Sequence, residues 1–397
     1  MLKSLALIFL FGLILGNIFK KLNLPKIIGY LLAGIFLGPF VFNFLDSKIL
    51  TISEDLRKIA LIIILLRAGF SLNLTDLKRV GRSAILMSFL PATFEILAYM
   101  IFAPLLLEIT LIEAAVMGAV MSAVSPAVVV PRMINYIENK WGTKKSIPQM
   151  IMASASIDDI FVIVIFTTLL GMANGGNTSI IQFINIPISI ITGILLGYLS
   201  GLVLHKIFER FGKEKINNSV KIIIILSISF LMIAIENTMK NYISISGLLA
   251  VLSLASVLKI KMNKSISRII LEKLNNLWIA AEILLFVLVG AAVDIRYTLV
   301  AGLPALLLII LALMIRTIGV LISIIGTDFS IKEKLFCIIS YLPKATVQAA
   351  IGSIPLSVGL ASGNLILSVA VLGIIVTAPI GAIGMDYSYK KLLKQDK

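Results

Sequence analysis

The chain holds one cysteine and one histidine in 397 residues, and little charge of either sign. A lone cysteine, Cys337, excludes an intramolecular disulfide and any cysteine-based metal site. The only histidine, His205, stands beside Lys206 at the end of an apolar run. It reads as an interfacial side chain rather than a proton relay, and one His with one Cys cannot supply a zinc site. Charged residues are 14% of the chain, against about 25% in ordinary soluble domains, so almost nothing is left over for a soluble domain. No small-x-small cleavage site follows the apolar N-terminus, whereas Lys20 and Lys21 do. That stretch therefore reads as a first membrane helix and not as a signal peptide.

What fills the chain instead is apolar sequence, 59% of it. A bilayer crossing needs about 20 such residues. Stretches of that kind fall at roughly 3–19, 25–45, 57–72, 83–107, 112–132, 148–172, 179–207, 219–237, 242–258, 276–294, 299–325, 333–353 and 362–384. The expected fold is an all-α polytopic membrane protein of thirteen transmembrane helices. The net charge of +15 does not point to nucleic acid, because the basic residues sit in short connections between apolar runs. Connections after odd-numbered spans hold most of them, among them Lys78, Arg79, Lys213 and Lys215, and the tail adds Lys390, Lys391, Lys394 and Lys397. The opposite side holds Lys3, Lys48, Arg57, Lys58, Lys240 and Arg296. By the positive-inside rule the N-terminus is expected outside and the C-terminus in the cytoplasm.

The halves resemble each other. Ile64–Asn73, centred on Gly69, reads like Leu285–Asp294, centred on Gly290. Ser122–Val130, around Pro126, reads like Ser340–Val347, around Pro343. Glu95 and Arg316 stand 221 positions apart, the spacing of the two glycines. Two six-helix repeats joined by the seventh span fit these offsets. A single linking span inverts one repeat relative to the other, a plan common among secondary transporters.

Seven ionisable residues fall well inside the expected spans: Arg67, Glu95, Asp158, Asp159, Glu282, Arg316 and Lys344. An Asp at the bilayer centre costs roughly 2.5–3.5 kcal/mol or more, and each of two adjacent carboxylates disfavours ionisation of the other. Asp158 and Asp159 are kept, then, as an ion and proton site. Consecutive helical residues point about 100° apart, so one is expected to face a wet cavity and the other a neighbouring helix. Pro126 and Pro343 each interrupt a span, and unwound backbone at membrane depth is tolerated where it lines a cavity. Ser122, Ser125, Thr346 and Gln348 cluster at these breaks. Two broken helices, inverted and crossing, bring half-helix ends together at the midplane, where they need counter-charges. Lys344 could neutralise carbonyl-rich ends or pair with one of the two Asp residues. Glu95 with Arg316 reads as a structural ion pair, and Arg67 with Glu282 as a second pair.

These residues carry a resemblance. Pro25–Pro39, with Gly29, Tyr30, Gly34 and Gly38, resembles the second-helix signature of the monovalent cation/proton antiporter superfamily. Leu66–Gly69, Ser122–Pro126, Asp158-Asp159, Glu282–Gly290 and Leu342–Ala350 follow in the order that superfamily shows. The resemblance implies the antiporter fold, with a core of helices at about 83–172 and 299–384. It implies a dimerisation domain at about 3–72 and 219–294, a linker helix at about 179–207, one transmembrane domain over 1–390 and a short tail at 391–397. It also implies a homodimer in the lipid of the plasma membrane, with a core moving like an elevator. By the same match Asp159 is the Na⁺ ligand and Asp158 its neighbour pairing with Lys344; the hydroxyls of Ser125 and Thr346, at the breaks, are read as the rest of the cation and proton site. Asp-Asp marks the electrogenic type. Ser125 stands where many members have Asp before the proline, which leaves Na⁺ versus K⁺ preference open. No nucleotide-binding tail of the kind some potassium-transporting relatives carry is expected.

The expected function is antiport of Na⁺ (or Li⁺) against H⁺ by alternating access, serving pH homeostasis, with no enzyme activity and no cofactor besides the transported ions. K⁺/H⁺ exchange on the same fold is the alternative. A passive channel would show flux without proton coupling. An intramembrane aspartyl protease needs its two carboxylates facing each other from different helices, which consecutive residues cannot do.

Overall fold

The computed structural model describes residues 1–22, 24–71, 81–174, 180–210, 217–239 and 245–396. Asn73 of the first repeat and the basic residues Lys78, Arg79, Lys213, Lys215, Lys240 and Lys397 lie outside the described residues. Within them the chain is nearly all helical, with one isolated antiparallel bridge, Trp141 to Gln395. The helices are α1 (Leu2–Lys21), α2 (Lys26–Leu37), α3 (Ser47–Thr51), α4 (Ser53–Ser71), α5 (Arg82–Met87), α6 (Leu90–Leu107), α7 (Leu111–Ser122), α8 (Pro126–Glu138) and α9 (Ile147–Asn174). They continue with α10 (Ile180–Arg210), α11 (Asn218–Met239), α12 (Gly247–Lys261), α13 (Lys264–Ala291), α14 (Ile295–Ser323), α15 (Ile331–Ser340), α16 (Thr346–Ile351), α17 (Ile354–Ser357) and α18 (Gly363–Leu392). In lipid every backbone N–H and C=O must find its partner inside the chain, and helices achieve this locally.

Each of the thirteen apolar stretches overlaps at least one helix. Among the described residues nine helices are long and apolar enough to cross a membrane. α2 has 12 residues and α12 has 15. α4 carries Glu54, Asp55, Arg57 and Lys58 in its first turns, and the stretch at 333–353 is divided between α15 and α16. Among the described residues full-length helices therefore number nine, which does not confirm the expected thirteen.

The chain divides into two compact units. The first comprises Met1–Ser53, Asn73–Asn174 and Leu285–Lys397. Here α2 crosses the end of α13 so closely that a Cβ on Gly34 would strike the Val287 carbonyl, and one on Gly290 would strike the Leu31 carbonyl. Only glycine permits that backbone approach. α6 lies along α14, and α7, α8, α9, α15 and α18 pack around them. The buried polar side chains of this unit include a compact set of charged and hydroxyl groups at the breaks of two helices.

The second unit comprises Glu54–Leu72 and Gly175–Leu284. α10 and α12 are its closest pair. Gly193, Gly197 and Gly201 stand four apart on α10, and a Cβ on each would press on Ser246, Ala250 and Val257 respectively. Small residues at that spacing let two membrane helices meet along their backbones. Ser253 Oγ donates to the Ile194 carbonyl across the same seam at 2.9 Å.

Candidate functional site

Both broken helices begin with the same device. Thr110 caps α7 with Glu113 at the third helical position, and Ser330 caps α15 with Glu333 at the third position. Each is a capping box, in which hydroxyl and carboxylate satisfy the free N–H groups of the first turn. The pattern Thr-x-x-Glu and Ser-x-x-Glu recurs 220 positions apart, close to the spacing of the repeats, and marks both helix starts in the sequence. Each helix then breaks as the prolines predict. Ala123 and Ser125 are extended, and Pro126 opens α8 at its first position, where its missing N–H costs nothing. Residues 342–345 are non-helical before α16 starts at Thr346.

The two breaks cross. Ser125 N–H donates to the Pro343 carbonyl at 2.8 Å. The Ser125 and Thr346 hydroxyls lie 3.4 Å apart. Gln348 Nε2 donates to the carbonyls of Ala123 at 2.8 Å and Met121 at 3.3 Å. Arg316 Nε donates to the Tyr341 carbonyl at 3.0 Å, and its Nη1 donates to the Ser122 carbonyl. One guanidinium thus holds carbonyls of both broken helices, the counter-charge that exposed C-terminal helix ends require.

Around the crossing lie the buried charges. Glu95 Oε2 meets Arg316 Nη1 at 2.5 Å and Lys344 Nζ at 2.5 Å. Asp158 Oδ2 accepts from Val124 N–H at 2.7 Å and lies 3.8 Å from Arg316 Nη2. The pairing of Glu95 with Arg316 is therefore formed, and it is part of a larger cluster. The expected partnership of Asp158 with Lys344 is corrected: Lys344 sits on Glu95, and the cation beside Asp158 is Arg316. The cause is geometric. Asp158 is turned to the unwound Val124 amide, while one Glu95 oxygen serves both cations. Two acids and two bases close in charge, and Asp159 is the acid left over.

Asp159 is 8% exposed. Among the described residues it makes no hydrogen bond or ion pair, and its Oδ1 is buried without a partner. Asp158 Oδ1 and Gln348 Oε1 are likewise buried and unpartnered. Such oxygens are costly in a dry interior unless a cation or proton meets them. Among the described residues no three His, Cys, Asp or Glu side chains gather as a metal cluster, so a multidentate carboxylate cage is not what this site offers. Carboxylate, hydroxyl and carbonyl oxygens are its chemistry, which suits a hard monovalent cation.

Three contributors were not foreseen. Ser154 lies one turn before Asp158 on α9 and receives the Tyr341 hydroxyl at 2.5 Å. Tyr341 also stacks under Arg316, 5.4 Å from guanidinium to ring centre. Thr377 Oγ1 accepts from Lys344 N–H at 2.9 Å and fixes the unwound segment. Ser154 was legible from its four-residue spacing to Asp158; nothing local marks Thr377. In the second unit, Arg67 stacks on Trp278 at 5.8 Å and feels the charge of Glu282.

Crossed, broken helices enclosing a charge-closed cluster and one surplus acid define a membrane carrier of monovalent ions. A family described as "Sodium/hydrogen exchanger, transmembrane" matches residues 5–385, and the chain belongs to it. Sodium/hydrogen exchanger 9B2 of Xenopus tropicalis is 32% identical over 409 residues, covering 98% of this chain and 74% of that protein. The Mus musculus 9B2 protein is 33% identical over 375 residues, covering 91% and 67%. Among solved structures, the sodium proton antiporter MjNhaP1 from Methanocaldococcus jannaschii superposes with a TM-score of 0.84 at 21% identity, covering 98% of this chain and 97% of that one. That likeness establishes the antiporter fold.

Proposed function

We propose that this chain is a secondary active antiporter that exchanges Na⁺ (or Li⁺) for H⁺, with Asp159 as the group that carries either ion. The observation that carries the reading is the surplus acid: Asp159 is buried, without a partner among the described residues, and adjacent to a cluster whose charges already balance. A bare carboxylate there is costly, so the site holds a cation or a proton but not neither. Reorientation with one or the other bound, and not empty, couples the two fluxes. Ser125 and Thr346 supply neutral oxygens beside it. Membership in the sodium/hydrogen exchanger family supports the choice of ions.

One Na⁺ displacing one proton from Asp159 is electroneutral. A second proton, from Asp158 or from Lys344, makes the cycle electrogenic, and the Asp-Asp sequence supports that version. The reading includes a homodimer in the plasma membrane with a cytoplasmic C-terminus, a core of helices at 83–172 and 299–384, and no resident cofactor, since Na⁺ is cargo. The test is pH-gradient dissipation in proteoliposomes with Na⁺, Li⁺ and K⁺ added separately. Asp159→Asn is expected to abolish Na⁺-driven proton flux; undiminished flux would sink the site assignment. Wild-type currents on a sodium jump are expected, and their absence would refute electrogenic exchange while leaving antiport standing.

A further inference from the structure

Among the described residues, the buried charged side chains that the mechanism above does not use include Arg57, Lys221, Asp294 and Glu333. Lys221, in the first turn of α11, is 2% exposed. Its Nζ has one hydrogen bond, a long one of 3.4 Å to the neutral side chain of Asn218 on its own helix. Among the described residues no carboxylate lies within ion-pair distance of it. The carboxylate that shares its surroundings, Glu209, is engaged with His205 at 3.4 Å and is largely exposed. Taking an ammonium out of water without a partner is among the costlier arrangements a fold can keep. Lys221 does, however, face a space. It lines a cavity of about 290 Å³ with His205, Glu209, Met262 and Asn263, many times the volume of a water molecule.

We infer that this cavity, enclosed by the ends of α10 and α11 and the turn between α12 and α13, binds a phosphate group through Lys221, in the form of an anionic phospholipid headgroup. Three observations favour this ligand. An ammonium with no carboxylate beside it among the described residues calls for an anion. Phe208 and Ile266 make the remaining wall apolar, which suits a ligand with a hydrocarbon part better than a free ion. Lys206, Arg210, Lys261 and Lys264 stand at the same helix ends, on the side where charge asymmetry places the cytoplasm, and basic pockets between membrane helices there suit acidic headgroups.

The test uses the full-length protein in a neutral detergent, with the thermal unfolding midpoint as readout. Dioleoylphosphatidylglycerol is compared with dioleoylphosphatidylcholine, and Tris phosphate with Tris chloride at equal ionic strength. Phosphatidylglycerol alone is expected to raise the wild-type midpoint. Lys221→Met is expected to need about tenfold more of this lipid, the worth of one charge-assisted hydrogen bond, and Lys221→Arg to restore the response. Without lipid, Lys221→Met is expected to be no less stable than wild type, because it removes an unpaired charge and keeps the volume. Tris phosphate raising the midpoint as much as the lipid, in a Lys221-dependent way, would keep the phosphate site and overturn the lipid as its source. Equal responses to both lipids in wild type, or a phosphatidylglycerol response unchanged in Lys221→Met, would overturn the site. Should Lys221→Met not fold, the wild-type comparison of the two lipids decides.

Discussion

Lys344 Nζ lies 2.5 Å from Glu95 Oε2, and the same oxygen receives Arg316 at 2.5 Å. Glu95 is thus the hub of the buried charges, and Asp158 is one step removed through Arg316. Removing the hub strands two cations. Glu95→Gln is expected to destabilise the protein by about 3–5 kcal/mol, the usual cost of leaving a buried charge without its partner. Lys344→Met is expected to cost less, since Glu95 keeps Arg316. A double-mutant cycle in equilibrium unfolding should give a coupling of about 1–3 kcal/mol between Glu95 and Lys344, and a smaller one between Asp158 and Lys344. A larger coupling for Asp158 would mean that the ammonium belongs to the Asp pair after all.

Gln348 is the side chain that ties one broken helix to the other. Its Nε2 satisfies two carbonyls, Met121 and Ala123, that the break in α7 leaves without helical partners. Gln348→Leu keeps the size and removes the donor. The expected loss is about 1–3 kcal/mol of stability for buried acceptors left unmet, together with slowed Na⁺-driven proton flux, because the crossing positions both Ser125 and Thr346. Full flux in Gln348→Leu proteoliposomes would show that the Ser125 to Pro343 bond and the Arg316 contacts hold the crossing without Gln348.

Much of this site could be read from the chain because its signals are local or periodic. Asp158 and Asp159 announce themselves as acids in an unbroken apolar run, Pro126 and Pro343 as breaks in membrane spans, and Glu95 with Arg316 as a pair at the repeat spacing. What could not be read was the choice among partners. Whether Lys344 reaches Glu95 or Asp158 depends on where α6 and α9 stand around the crossing, which no spacing encodes. The role of the Val124 amide depends on the backbone being unwound at that residue. Lys221 was passed over because a lysine two residues inside a span ordinarily reaches out to the headgroups; its burial is a product of packing against α10 and the turn before α13.

The crossing of α2 and the end of α13 tests the fold away from the charges. Gly34 and Gly290 face each other's helix backbones, so an added methyl meets carbonyl oxygens that cannot swing aside. Gly34→Ala and Gly290→Ala are each expected to cost at least about 1–3 kcal/mol, as overpacking does. Gly302 is the control: it lies in α14 with no neighbour near an added Cβ. Gly302→Ala is expected to be neutral or to stabilise by up to about 1 kcal/mol, the helix preference of Ala over Gly. Thermal midpoints in detergent measure all three, and equal behaviour of Gly290→Ala and Gly302→Ala would deny the close crossing.

The end of the chain is pinned to the loop between α8 and α9. Asp396 accepts from Lys144 N–H at 2.5 Å and from the Thr143 hydroxyl at 2.8 Å, while its own N–H donates to the Lys140 carbonyl at 2.8 Å. Burial is the largest single influence and pushes the Asp396 carboxyl up, but the Lys144 and Thr143 donors together outweigh it and hold it below its ordinary value of 3.8. A carboxylate held low stabilises the folded contact above the unfolded value, and the contribution disappears as pH falls through the folded one. The clasp is therefore expected to be complete at neutral pH and to open only in acid below about 4. Hydrogen exchange at the Lys144 amide, corrected for intrinsic rate, measures it: protection should be constant from pH 7 to 5, fall in stronger acid, and be lost at neutral pH in Asp396→Asn. Protection unchanged in Asp396→Asn would show that the backbone bonds at Lys140 and Gly142 hold the tail without the carboxylate.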